Sequence, residues 1–216
     1  MVIPFLFVIL LWLVKFTEVM SGSDFYTLGI YPHSLHGLLG ILTGPLVHAN
    51  LNHLIDNSVP VFLLLTAIFY FYREVAMQVF LLSYLLTGLW TWLGAREAYH
   101  IGASGLVYSF AAFLFLSGII RRYPQLVAIS LLVVFLYGGL IWGLFPLDET
   151  ISFESHIYGS VSGVMLAIFY RKFGPQKEIY SWESEDEDDD IGVPWNDPKY
   201  KEENENLDRK DGITGK

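Results

Sequence analysis

The sequence predicts an all-α membrane protein: six spanning helices followed by a disordered acidic tail. Three observations carry this prediction. Of 216 residues, 53% are hydrophobic and only 16% charged, against roughly 25% charged in a soluble domain, and mean hydropathy is +0.44. The apolar residues fall into six runs, most of them near the roughly 20 residues that a helix needs to cross about 30 Å of hydrocarbon. The net charge of −9 sits wholly at the C-terminal end: residues 1–177 hold eight basic and eight acidic side chains, and residues 178–216 hold five and 14.

The first run, 2–20, has no basic leader and no small-residue cleavage site, and Lys15 lies inside it. It reads as a retained span and not as a signal peptide. A loop of about 21–49 follows, rich in Gly, His and Pro. Gly37, Gly40 and Gly44 interrupt its semi-apolar stretch Leu38–Leu42, so it reads as a partly membrane-embedded outer loop and not a seventh span. Runs 50–72, 75–93, 103–120, 125–145 and 155–170 are the other spans, the last completed by tilt or by the residues before it. No strand alternation occurs, so the backbone must satisfy itself within helices. Residues 183–190, nearly all acidic, cannot bury apolar surface and open a solvated tail. The expected division is a membrane body at 1–172 and a cytoplasmic tail at 173–216.

Basic residues orient the bundle. Arg73, Arg121, Arg122, Arg171, Lys172 and Lys177 share one side, against Arg96 on the other, which places both termini in the cytoplasm. Lys15, near the outer end of span one, is expected to snorkel outward. The neutral body offers no basic footprint for nucleic acid. The absence of cysteine excludes disulfides, thiolate metal sites and a cysteine nucleophile.

Polar residues within spans point to function. Gly102-Ala103-Ser104-Gly105 opens span four. Glycines there admit a close neighbour, the first-turn N–H groups have no intrahelical partner, and the hydroxyl is presented at a helix end. The competing reading is a small-residue packing site. His156 opens span six, three residues before Gly159 of Gly159-x-x-x-Gly163, a close-packing face. It is placed to take a proton from Ser104 or to bond a loop carbonyl. His53 and Asn57 lie one turn apart on span two, donors suited to an oxyanion. His48 and His53 with Asp56 or His156 are alternatively metal ligands, but their spacing is not H-E-x-x-H and a metal site leaves the nearby serine unexplained. Asp56 has no assigned role; Glu154 reads as a solvated loop acid, and His33, His36 and His100 as loop residues at the water interface. Nucleophile, base and oxyanion donors at one depth make a serine hydrolase.

On these residues the chain resembles the rhomboid intramembrane serine proteases, in their minimal six-helix form. The family's H-x4-H-x3-N motif stands as His48, His53 and Asn57. Its G-x-S-G motif stands as Gly102–Gly105 with Tyr108 four residues after Ser104, and its last-helix motif as His156, Gly159 and Gly163. The resemblance implies a Ser104–His156 dyad with no acidic third member. Tyr108 would orient the imidazole, the oxyanion hole would comprise His53, Asn57 and the Ser104 N–H, and His48 would support the loop. It further implies cleavage of transmembrane segments of membrane-protein substrates through an acyl-enzyme, contact with lipids, no cofactor and no metal. A short chain without a targeting extension suggests a bacterial-type cell membrane as the setting. Many relatives carry Trp-Arg in the first loop where Leu39 and Gly40 stand here. The alternative function is a non-proteolytic binder of client helices.

Overall fold

The computed structural model describes residues 2–136, 143–146 and 152–175. Within them lie seven α-helices: α1 (Val2–Ser21), the single turn α2 (Gly40–Thr43), α3 (Leu51–Phe71), α4 (Ala76–Gly94), α5 (Ser104–Arg121), α6 (Pro124–Leu136) and α7 (Phe153–Phe169). The described residues contain no β-strand, only an isolated antiparallel bridge between Ile30 and His100. The first four expected spans are α1, α3, α4 and α5, each within one residue at both ends. The fifth begins as α6, and its remainder falls largely outside the described residues, as does the acidic tail from 176. By length and composition, α1, α3 and α4 are each able to cross a membrane, with mean hydropathies of 2.2, 1.7 and 1.3.

Local chemistry sets the helix ends. Asn50 caps α3, its Oδ1 accepting from the His53 N–H at 2.9 Å. At the end of α5, Arg122 adopts a left-handed conformation (φ 54°) and the Tyr123 N–H returns to the Gly118 carbonyl at 2.9 Å, the usual way of satisfying the last carbonyls. Pro124 then begins α6, where its missing N–H costs nothing.

The bundle is built around α5. Its Phe110, Phe113 and Leu114 are wholly buried, whereas α1 buries only the stripe Pro4, Phe7, Leu11 and Lys15. Phe5, Leu10 and Leu13 on α1, Leu81 and Leu89 on α4, and Ile168 and Phe169 on α7 face outward. Such an apolar exterior suits lipid as the solvent. Without a hydrophobic drive between helices in lipid, close packing of small residues holds them together. A Cβ on Gly159 would overlap the Gly105 carbonyl and one on Gly163 the Ser109 carbonyl, so α7 meets α5 backbone to backbone. At the far end of this pair the buried Arg121 guanidinium donates to the carbonyls of Tyr170 (3.2 Å), Arg171 (2.6 Å) and Pro175 (3.1 Å). It closes the C-terminus of α7 and holds residues 173–175 against the body.

Lys15 departs from expectation. It does not reach outward to water: its side chain is buried and its ammonium donates to Glu18 (2.7 Å), the His48 carbonyl (2.8 Å) and the Ala49 carbonyl (3.3 Å). The end of the first loop supplies two of its three acceptors.

Candidate active site

The first loop is stitched to the segment preceding Ser104. Ile30 and His100 exchange both backbone hydrogen bonds (2.9 and 2.8 Å), and the Gly102 N–H donates to the Gly44 carbonyl at 3.0 Å. Within the loop Gly40 lies against the backbone of Gly29 and Ile30, where a Cβ would overlap the Gly29 carbonyl. The arginine that many relatives carry at this position has no room here.

Ser104 is the first residue of α5, half-buried, with its hydroxyl at the helix end. Its Oγ–H donates to His156 Nε2 at 2.8 Å. The other ring nitrogen, Nδ1, donates to the Gly143 carbonyl at 2.7 Å. With that N–H engaged, the neutral ring keeps its lone pair at Nε2, the tautomer able to accept the serine proton. Tyr108 stacks on the imidazole, ring centroids 4.3 Å apart and planes inclined by 18°. A Cβ on Gly143 would meet the Tyr108 hydroxyl and stand 3.0 Å from His156 Nδ1, so glycine admits the carbonyl to the ring.

His53 and Asn57 come against the same turn from α3. A Cβ on Gly102 would stand 2.7 Å from His53 Cε1, 2.8 Å from His53 Nε2 and 3.5 Å from Asn57 Nδ2. Gly102 has φ +102°, a backbone region suited to glycine. Asn57 is buried and donates one amide hydrogen to the His53 carbonyl at 3.0 Å. His48 lies behind them, its ring 5.2 Å from that of His53. Its Nδ1 donates to the Leu46 carbonyl (3.2 Å) and its Nε2 accepts the Ala103 N–H (3.4 Å). Burial lowers the His48 pKa to about 4, with His53 adding to the effect and the Leu46 carbonyl opposing it. A neutral ring is what its acceptor role demands. Gly105 and Gly159 touch beside the dyad, while Gly163 lies one turn further along α7. No cluster of three metal-ligating side chains occurs among the described residues.

Three residues near the site stand differently from the sequence reading. His100 is buried, not at the water interface. Its Nε2 donates to the Arg96 carbonyl (3.0 Å) and its Nδ1 accepts from the Ser152 hydroxyl (2.5 Å), and burial lowers its pKa. Glu154 is not a free loop acid but pairs with Arg96 at 3.1 Å. These two contacts fasten the start of α7 to the loop before Ser104. The Gly143 carbonyl is the third addition, and no sequence signal marks it because every residue has a carbonyl. Asp56 is exposed. A cavity of about 20 Å³, lined by Thr87, Thr91, His100, Gly102, Gly105 and Ser155 among others, adjoins the glycines that flank Ser104 in sequence and has room for one water molecule. The buried Thr87 hydroxyl has no protein partner.

Comparison with known proteins places these features in a family. A family model of the Rhomboid domain matches residues 36–173. Uncharacterized proteins of Mycobacterium tuberculosis and Mycobacterium bovis are each 36% identical, over 74% of this chain and 71% of the relative. An uncharacterized protein of Mycobacterium leprae is 31% identical, over 74% of this chain and 67% of its own length. Rhomboids are integral membrane proteins and generally intramembrane serine proteases, with inactive members among them. The match runs from the first loop through the end of α7 and takes in both partners of the Ser104–His156 contact: the chain belongs to the rhomboid family.

Proposed function

We propose that this protein is an intramembrane serine endopeptidase that hydrolyses peptide bonds in the transmembrane segments of other membrane proteins. The observation that carries this reading is the 2.8 Å contact from Ser104 Oγ to His156 Nε2, with Nδ1 committed to Gly143. His156 Nε2 takes the hydroxyl proton as Ser104 Oγ attacks the scissile carbonyl carbon. The carbonyl oxygen becomes an oxyanion, received by the Ser104 N–H and the side chains of His53 and Asn57. As the tetrahedral intermediate collapses, the imidazolium returns its proton to the departing amine. An acyl-enzyme on Ser104 remains. Water, deprotonated by His156, then attacks the ester and releases the acid product and the free serine.

Substrates with small or helix-breaking residues near the outer membrane face fit this site, because their helices unwind at least cost. The basic residues of the second and fourth connections and of the segment after the last span support cytoplasmic termini, and a bacterial-type cell membrane is the proposed location. The intact Ser104–His156 pair favours catalysis over passive client binding, which needs no nucleophile and base.

The test is labelling of the full-length protein in bilayers with a fluorophosphonate. Modification should map to Ser104 and fall at least about 10³-fold in Ser104→Ala and His156→Ala. Retained labelling in Ser104→Ala would reject the nucleophile. A folded wild type that neither labels nor cleaves, yet co-purifies with client helices, would establish the binder instead.

A further inference from the structure

Lys15 is a buried cation within a membrane span, and the dyad chemistry does not use it. Its three ammonium hydrogens have three acceptors: Glu18 Oε2, the His48 carbonyl and the Ala49 carbonyl. Glu18 Oε1 in turn accepts the Phe25 N–H at 3.2 Å. The pair therefore binds both ends of the first loop to α1. The clamped end is the turn on which the site depends: His48 holds the Ala103 N–H, Asn50 caps α3, and α3 carries His53 and Asn57. A Cβ on Gly40 would overlap the Gly29 carbonyl, so that position offers no side chain to anchor the loop.

We propose that Lys15, braced by Glu18, is a positioning residue for the oxyanion pocket, clamping the His48–Ala49 turn so that His53, Asn57 and the Ser104 N–H converge. The proposal rests on the protease reading for its effect on rate, but the clamp itself does not. The buried His48 carbonyl would lose its donor without Lys15, and a buried carbonyl demands a partner. The turn must then move to find another.

The experiment compares wild type, Lys15→Met, Lys15→Arg and Glu18→Gln in bilayers by hydrogen exchange, fluorophosphonate labelling and cleavage of a test transmembrane peptide. Lys15→Met should raise exchange across residues 46–53 by about tenfold or more while the centre of α1 stays protected. Labelling and kcat should fall by about tenfold or more, with KM within about twofold. Arginine keeps the charge and donors and should restore labelling to within about threefold of wild type. Glu18→Gln, which keeps the lysine, should give an intermediate loss and serves if Lys15→Met does not fold. Unchanged exchange over 46–53 in a folded variant overturns the clamp, whatever the activity. Normal kcat alongside raised exchange overturns its link to catalysis. A wild type inert to every probe rejects the protease reading and the catalytic half with it, leaving exchange to decide the clamp.

Discussion

At the scale of single residues, neutrality is the property this site protects. His48 must stay unprotonated to accept the Ala103 N–H, and burial holds its pKa near 4. An unfolded histidine titrates near 6.5, so as pH falls below that value the unfolded chain gains a proton that the folded one refuses. Stability is therefore complete above about 6.5 and declines toward pH 4, by on the order of 3 kcal/mol from His48 alone. His100, shifted in the same direction, adds to the slope. Thermal unfolding between pH 7 and 4 should show this decline, and His48→Gln should flatten it. Gly102→Ala should cost about 1–3 kcal/mol, because φ +102° strains any side chain, and it should depress phosphonate labelling further by displacing His53. Ser104, His156, His53 and Asn57 stood out in the sequence because polar side chains in apolar runs are conspicuous. His100 did not, because nothing in a loop sequence distinguishes a histidine that turns inward. Lys15 was conspicuous as an intramembrane cation, yet its direction depended on carbonyls more than 30 residues away.

At the scale of elements, the contact of α5 with α7 sets the dyad geometry. Gly159 on the Gly105 carbonyl brings the two helices close enough for Ser104 and His156 to share a hydrogen. Gly159→Val should force them apart, lowering labelling by about 10²-fold or more with a Tm loss that Gly163→Ala, one turn away from the dyad, matches without an equal loss of activity. The boundaries of α1, α3, α4 and α5 were legible to a residue because hydrophobic length is dictated by the bilayer. The first loop was not, beyond its fragmentation by glycine. Its 3-10 turns at Tyr26–Leu28, His36–Leu38 and Gly44–Leu46 follow from contacts with the 95–103 loop, which no local pattern encodes.

At the scale of the whole molecule, the charge-neutral body and the acidic tail are expected to be separable. Deleting residues 183–216 should leave phosphonate labelling within about twofold of wild type, whereas a large loss would assign the tail a part in the site. The site draws on the first loop, on α3, on α5, on α7 and on Gly143. The Gly143 carbonyl has a consequence for how this protein tolerates mutation. A carboxylate at the third position of a catalytic relay is erased by one codon change. A main-chain carbonyl is not, since whatever amino acid is encoded still supplies one. Point mutations can reach it only by bulk, through crowding of Tyr108 and His156. Insertions or deletions between α6 and α7 reach it directly, by sliding a different peptide group past the imidazole. The weak spot of the relay is a length of chain and not a letter in it.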